Sequence, residues 1–408
     1  MMRRHLRQSF RSAVPIYSIS MKTEKIEKTG IVCFWLAFII ELFIVMIDKS
    51  AYINPLEGQL FRLTFLLCCI KIAATKYSRD EWLCILFFGV IAFVSYLVNE
   101  RDEIVRIVAF VAACKGVDLK KMLKLALGLT FVCSVILFAL SGFGIFGDFK
   151  ITANFGRGEY PSIIETRYCF GMGHPNAFQC MLFMMVTLCL YLYAEKMEWY
   201  HFLLLELINY FSYRYTDSNT GFLVCTAVIA GVMLLKYCKP LRKSKTIYIL
   251  GALFVIGIVL FSAFGSHTGI ENKLIDRLDT ILNGRFKFAH KIEAARLENW
   301  LPFASAENTE YFDAGLIKLF YWYGIIPGIL YVLMNLYLIY QSFRNEDYTL
   351  VVIVAGYTLF TIMEAHLISF YILRNYLFIL MGYYWYQPFV KRHRYEGYFW
   401  QVKKLLTG

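Results

Sequence analysis

The stretch TIYILGALFVIGIVLFSAF, residues 246–264, indicates the fold class, because it runs without a charged side chain. A helix of about 20 apolar residues spans the hydrocarbon layer of a bilayer. On both sides of this stretch, similar apolar runs are separated by charged residues, and together they predict about twelve transmembrane helices. The predicted spans are 30–48, 58–75, 82–98, 103–114, 125–146, 168–194, 199–213, 219–235, 246–264, 314–341, 348–365 and 367–389. The sequence therefore predicts an all-α, polytopic membrane protein.

The composition excludes water-soluble enzymes, disordered scaffolds and secreted disulfide modules. Hydrophobic residues make up 59% of the 408 residues, charged residues 18%, and the mean hydropathy is +0.53. Soluble domains are nearer 45–50% apolar and about 25% charged. Most of the 11 cysteines lie inside apolar runs, and none shows the CxxC spacing of a zinc or redox site. The net charge of +12 fits basic cytoplasmic loops better than a nucleic-acid partner, so no nucleic acid is expected.

The distribution of basic residues predicts the orientation in the membrane. If the N-terminus is cytoplasmic, cytoplasmic segments hold about twice as many of the 42 Lys and Arg as outer segments do. Both termini are therefore expected inside, with a basic arm at 1–29 and a cytoplasmic tail at 390–408. The membrane domain at 30–389 then carries two outer loops, 147–167 and a large one at 265–313 between the ninth and tenth spans.

The segment RYCFGMGHPNAF, residues 167–178, is typical of a helix start on the outer face. Pro175 suits the first helical position, and His174 precedes it at the cap. The free N–H groups and the positive dipole end of such a helix favour an anion such as phosphate. An ordinary capped helix start explains the same pattern.

Two further outer helix starts follow along the chain. TDSNTGF (216–222) comes directly after Arg214, and EYFDAGLIK (310–318) contains Asp313. Asp217, Ser218 and Asp313 are all explained as caps. Near the C-terminus, Arg374, Glu364 and Lys318 are expected to line an outward-facing cavity, and Arg374 is expected to form a buried polar network with Asn375 and Glu364. For Lys318, an alternative is that its long side chain reaches the lipid headgroups.

These motifs, in this order, resemble those of the Wzy-type bacterial polysaccharide polymerases, which are related to the O-antigen ligases. The resemblance rests on Arg167 with GHPN (173–176), SNTG (218–221), NGRF (283–286), FDAG (312–315) with YGIIPG (323–328), and Glu364 with Asn375. It covers roughly residues 150–385 in motifs. Asn219 and Ala314 depart from the family pattern, which often has arginine and asparagine there.

The resemblance implies a glycosyltransferase that joins polyprenyl-diphosphate-linked oligosaccharide repeat units at the outer face of the bacterial cytoplasmic membrane. Membrane lipid, a chain-length regulator and a flippase of the same pathway are the implied partners. An O-antigen-type ligase shares the donor chemistry, and a lipid-linked oligosaccharide flippase also needs basic residues around diphosphate. Both remain alternatives. No cofactor is expected, and because the outer acids are scattered, neither is a metal.

Candidate site residues follow from this chemistry, since arginines and helix N-termini stabilise the charge that develops on a diphosphate leaving group. An acceptor hydroxyl also needs a base, and His174 is the first candidate for it, with Asp313 the second. The expected diphosphate or glycan contacts are Arg157, Arg167, Asn176, Arg214, Ser218, Arg285, Glu364, Arg374 and Asn375.

Overall fold

The computed structural model describes residues 5–50, 52–155, 164–282 and 284–388, with side chains described from residue 25 onward except at 270 and 281. The chain is almost entirely helical within these ranges. In chain order the helices of the first half are α1 (His5–Lys49), α2 (Glu57–Ala73), α3 (Arg79–Asn99), α4 (Glu103–Ala113), α5 (Leu119–Gly142), α6 (Pro175–Tyr193), α7 (Trp199–Thr216) and α8 (Asn219–Tyr237). Those of the second half are α9 (Lys239–Lys243), α10 (Thr246–Thr268), α11 (Lys273–Ile281), α12 (Arg285–Lys291), α13 (Gly315–Tyr323), α14 (Ile325–Asn345), α15 (Tyr348–Met363) and α16 (Leu377–Tyr384).

Seven helices in the described residues are long and apolar enough to cross a membrane. They lie at Lys25–Lys49, Arg79–Asn99, Leu119–Gly142, Pro175–Lys196, Asn219–Tyr237, Thr246–Thr268 and Ile325–Asn345. Large apolar side chains such as Leu86, Phe131 and Leu260 are exposed on these helices, as expected for a surface that faces lipid. The protein is therefore a multi-pass membrane protein with an all-α fold.

Two of the predicted spans are not continuous helices. The run 314–341 is divided at Gly324, which has a φ of 95° and packs so closely on the 302–304 backbone that a Cβ would lie 2.6 Å from Phe303 Cα. Only glycine suits that position. The run 367–389 follows the 3₁₀ turn Ala365–Leu367, contains a second 3₁₀ turn at Ile372–Arg374 and becomes α-helical only at Leu377. Apolar composition alone does not distinguish such broken segments from a single helix.

The segment 147–167, predicted as an outer loop, contains an element that the apolar pattern does not predict. Lys150–Asn154 (β1) and Ile164–Tyr168 (β2) pair as antiparallel strands, with Ile151 opposite Arg167. The predicted loop 265–313 is also partly helical, because α10 extends to Thr268 and is followed by α11 and α12.

Helix ends from distant parts of the chain meet at one end of the bundle. The C-terminal ends of α1 and α15 and the N-terminal ends of α6, α12 and α13 contribute the residues described in the next subsection. At the opposite ends of α6 and α8, Lys236 donates to the carbonyl of Ala194 over 2.9 Å, and Arg242 pairs with Glu195 over 2.8 Å.

Candidate functional site

Arg285 joins two carboxylates at the start of α12. Its Nη1 donates to Asp313 Oδ2 over 2.6 Å, and its Nη2 donates to Glu364 Oε1 over 2.9 Å. The next residue, Phe286, is fully buried and packs against Gly265 of α10, where a Cβ would lie 2.5 Å from the ring. This packing fixes the backbone that carries Arg285. A guanidinium is planar and has five N–H donors, so it can hold both acids in a fixed geometry.

Asp313 lies directly before α13, and its position depends on Gly315. A Cβ at Gly315 would lie 2.6 Å from the carbonyl oxygen of Thr361 and 2.9 Å from that of Glu364. The start of α13 therefore touches the end of α15, which brings Asp313 and Glu364 to the same guanidinium. Asp313 was explained above as a helix cap, but the structure shows no side-chain cap for α13. Its carboxylate binds Arg285 instead.

Asn176 connects the GHPN segment to the same carboxylate, because its Nδ2 donates to Glu364 Oε1 over 2.9 Å. Glu364 is buried, with 3% of its side chain exposed, whereas 38% of the Asp313 side chain is exposed. We call Arg285, Asp313, Glu364 and Asn176 the Arg285 cluster. The cluster joins residues from four separate segments of the chain. Of its two acids, Asp313 is the one that solvent can reach.

His174 caps α6, as the sequence predicts. The backbone N–H of Asn176 donates to His174 Nδ1 over 3.1 Å, and Pro175 is the first helical residue. Desolvation lowers the pKa of His174 below its ordinary value, and Asp313 opposes this effect. The positive charges of Arg167, Arg285 and Lys49 lower it further. The ring is therefore neutral near pH 7.

A neutral imidazole has one acceptor nitrogen and one donor nitrogen. Since Nδ1 of His174 already accepts the cap hydrogen bond, its proton belongs on Nε2. The ring therefore carries its N–H donor on Nε2. This arrangement favours Asp313 over His174 as the proton acceptor, which reverses the order expected from the sequence.

A second polar group lies at the end of α1. Lys49 Nζ lies 3.3 Å from His366 Nδ1 and 3.4 Å from Asp48 Oδ2, and Arg374 also pairs with Asp48. Asp48 and Lys49 were not predicted as site residues. Their signal in the sequence is a charged pair at the end of the first apolar run. The predicted network of Arg374 with Glu364 is therefore wrong, because Arg374 bonds to α1.

Arg167 lies on β2 and is 4% exposed. It pairs with Glu165 and lies 3.6 Å from Asp217 Oδ2, and its guanidinium stacks on the Phe155 ring at 4.2 Å. The Phe155 ring in turn contacts the His174 ring, with centroids 5.8 Å apart. Arg167 thus reaches the site through Phe155, and its charge is already balanced by two acids.

Three predicted contacts lie elsewhere, and nothing is described of a fourth. Arg157 falls outside the described residues. Arg214 is exposed near the end of α7 and forms no hydrogen bond or ion pair within the described ranges. Ser218 is buried before α8 and makes no side-chain cap. Asn375 is fully buried and donates to the Tyr331 hydroxyl over 2.9 Å, so it stabilises the C-terminal segment.

Lys318 does not reach the headgroups. It is 0% exposed on α13, and its Nζ lies 3.7 Å from the ring centroids of both Tyr311 and Trp322. Across the part of the chain that the structure describes, no three His, Cys, Asp or Glu side chains converge on a point that could hold a metal ion.

No protein-family model, curated protein or solved structure matches the chain. The function therefore has to be argued from the site. The Arg285 cluster and His174 together place a neutral histidine, a partly exposed carboxylate and an arginine that binds two acids at one end of a membrane-embedded bundle. These groups can bind a polyanionic substrate, donate hydrogen bonds to it and accept a proton.

Proposed function

We propose that the protein is a polysaccharide polymerase that joins polyprenyl-diphosphate-linked oligosaccharide repeat units. The observation that carries the proposal is the Arg285 cluster, in which Asn176 of GHPN and Arg285 of NGRF both donate to Glu364, and Arg285 also donates to Asp313 of FDAG. These are the segments that resemble the Wzy-type polymerases. Their contact in space makes them parts of one site.

The site is proposed to face the outside of a bacterial cytoplasmic membrane, with both termini in the cytoplasm, about twelve membrane segments and the 265–313 segment outside. The opposite end of the bundle supports this orientation. It carries Lys236, Lys239, Arg242, Lys243 and Lys245 around the short helix α9. Such basic loops are typical of the cytoplasmic side.

The reaction transfers the growing glycan from its lipid diphosphate to a hydroxyl of the next repeat unit. The acceptor oxygen forms a bond to the anomeric carbon, the bond from that carbon to the phosphate oxygen breaks, and the lipid diphosphate leaves with the electron pair. Asp313 accepts the hydroxyl proton. His174 donates from Nε2 to the leaving diphosphate, and the site needs no metal or cofactor for these steps.

In this mechanism Glu364 positions Arg285, and Arg285 contacts the phosphate. The buried carboxylate of Glu364 holds one edge of the guanidinium and the Asn176 amide, which leaves Arg285 Nε without a hydrogen-bond partner among the described residues. An arginine with an unused donor is suited to bind an incoming phosphate oxygen. The cluster therefore holds this arginine in a fixed geometry beside the substrate.

An apolar cavity of about 430 Å³ supports a lipid-linked substrate. It lies between α3, α4, α13, α14, α16 and the segment after α15. Leu319 and Leu367 line it. In the chain they directly follow the polar residues Lys318 and His366. An apolar cavity beside a polar site fits a prenyl chain with a diphosphate headgroup.

The two alternatives differ in what they do with this substrate. An O-antigen-type ligase transfers the glycan to another acceptor, and a flippase moves the intact lipid across the membrane. A chain-length regulator and a flippase of the same pathway are the proposed partners of a polymerase.

The test is to delete the protein from its host and separate lipid-linked intermediates from polymer. Loss of a polymerase leaves a single repeat unit, loss of a ligase leaves polymer on the lipid, and loss of a flippase traps intermediates inside. Purified protein that elongates lipid-linked repeat units in vitro would support the proposal, and failure to elongate them with a correctly folded protein would contradict it.

A further inference from the structure

Lys318 differs from the other cations near the site, because its ammonium has no hydrogen-bond partner and no ion pair among the described residues. Arg285 binds two carboxylates, Arg167 pairs with Glu165, and Lys49 pairs with Asp48. Lys318 is nevertheless 0% exposed. Burying an ammonium without acceptors is strongly unfavourable, so folding alone gives no reason for a lysine here.

The surroundings of Lys318 are rich in aromatic rings and positive charge. The Tyr311 and Trp322 rings each lie 3.7 Å from its Nζ and offset part of the cost of burial by cation–π attraction. The guanidinium of Arg101 stacks on the same Trp322 ring at 4.4 Å. Two cations thus share one indole, an arrangement that an anion would stabilise.

Acidic groups near Lys318 do not neutralise it directly. Neither Asp313 nor Glu103 forms an ion pair with the ammonium in the described structure. Asp313 instead binds Arg285. An acceptor for the three N–H donors of Lys318 is therefore missing from the site.

Lys318 also has a suitable position for a lipid-linked anion. It lies on α13 between Asp313, which belongs to the Arg285 cluster, and Leu319, which lines the apolar cavity. Tyr311 lies over the ammonium on one side and is itself 60% exposed. Rotation of the Tyr311 side chain would therefore open Lys318 toward the site.

We propose that Lys318 is a further diphosphate contact of this site, held between Tyr311 and Trp322 until a lipid diphosphate displaces the Tyr311 ring and supplies the missing acceptors. Arg101, which stacks on the same Trp322 ring, adds positive charge next to this contact. This inference rests on the proposed function and deepens it, because it assigns the headgroup of the donor to a residue that the motifs do not include.

The experiment measures equilibrium binding to purified full-length protein in nanodiscs with three probes: a sugar-free polyprenyl diphosphate, a polyprenyl monophosphate and inorganic diphosphate. The Lys318→Met variant removes the charge and keeps the length of the side chain. Lys273→Met is the matched control, because Lys273 is exposed at the start of α11. The thermal midpoint of each variant is measured in parallel, and Lys318→Gln replaces Lys318→Met if the latter does not fold.

We expect Lys318→Met to bind polyprenyl diphosphate at least tenfold more weakly than the wild type and Lys273→Met, while its thermal midpoint stays equal or rises. A similar loss with inorganic diphosphate would assign the contact to the headgroup alone and support the proposal. Unchanged binding by a folded Lys318 variant would overturn it, and so would a wild type that does not bind the diphosphate lipid.

A parallel elongation assay separates this inference from the proposed function. If the wild type elongates repeat units but the Lys318 variants bind the diphosphate normally, the inference fails and the function stands. If binding depends on Lys318 but the folded wild type does not elongate, the diphosphate contact stands and the polymerase proposal fails.

Discussion

Arg285 and Glu364 are 79 positions apart in the chain, yet the guanidinium of Arg285 donates to Glu364 Oε1 over 2.9 Å. The same guanidinium binds Asp313, and Glu364 also accepts from Asn176. Because the buried carboxylate of Glu364 accepts from both Arg285 and Asn176, it holds the starts of α12 and α6 together at the end of α15. The predictions below follow from this arrangement and from the residues around it.

Replacement of Arg285 should abolish polymer formation. Arg285→Ala leaves the buried carboxylate of Glu364 without its cation, and Arg285→Lys cannot bind both acids, because an ammonium lacks the planar fork of a guanidinium. We expect both variants to lose at least 100-fold in elongation rate, a loss in the range for one preorganised charge-stabilising group. Arg277→Ala, on the exposed face of α11, is the control. Normal elongation by Arg285→Ala would exclude the proposed electrostatic role.

Asp313 and His174 should respond differently to neutral substitutions. Asp313→Asn removes the proposed proton acceptor and should lower the elongation rate about 100-fold or more. His174→Asn retains a good N-cap for α6 and should stay within about tenfold of the wild type. Elongation assays on purified variants test both. The opposite pattern would make His174 the base and would require it to release the Asn176 N–H.

The packing of α13 on α15 should not tolerate a side chain at residue 315. In Gly315→Ala the new Cβ would lie 2.6 Å from the Thr361 carbonyl oxygen, and overpacking of this kind typically costs about 1–3 kcal/mol. We expect a lower thermal midpoint and a displaced Asp313. Gly257→Ala is the matched control, since nothing lies within 4 Å of a Cβ at that position in α10. That variant should be equally or more stable, by about 0.5–1 kcal/mol. Equal midpoints for both variants would contradict the close approach.

The proposed orientation can be tested with an impermeant thiol reagent on intact cells. Cys169 is an unsuitable reporter, because it is 0% exposed and its thiol donates to the carbonyl of Asp148. A cysteine at Ile164, which is 71% exposed on β2, is better placed. In a background without other cysteines, Ile164→Cys should be labelled from outside, whereas a single Cys238 should be labelled only after the cells are opened. The reverse pattern would place the Arg285 cluster on the cytoplasmic face.

Elongation by the purified protein should not depend on a divalent cation. The mechanism assigns charge stabilisation to Arg285, Lys318 and the α6 N-terminus. We therefore expect the rate to stay within twofold of the untreated sample in excess chelator, by the order-of-magnitude scale of catalytic effects. A rate that collapses in chelator and returns on addition of a divalent cation would contradict a metal-independent mechanism.

The sequence by itself determines that this protein is embedded in a lipid bilayer, and it determines several of its helix ends. Long apolar runs can satisfy their backbone hydrogen bonds in lipid only as helices, so composition and run length identify a multi-pass helical protein. The His174 cap and Pro175 were also predictable, because capping depends on neighbouring residues alone. Local rules of this kind need no knowledge of distant contacts.

Tertiary structure decided which polar residues share a site. Arg285, Asp313 and Glu364 meet because Gly315 allows α13 to touch α15, and no local pattern reports that contact. For the same reason Arg374 pairs with Asp48 rather than with Glu364, and Lys318 turns inward between two rings instead of toward the headgroups. Apolar runs likewise could not show the break at Gly324, because the backbone that packs against it comes from another segment. Hydrophobicity places a segment in the membrane, whereas close packing between distant segments sets the partners of each charge.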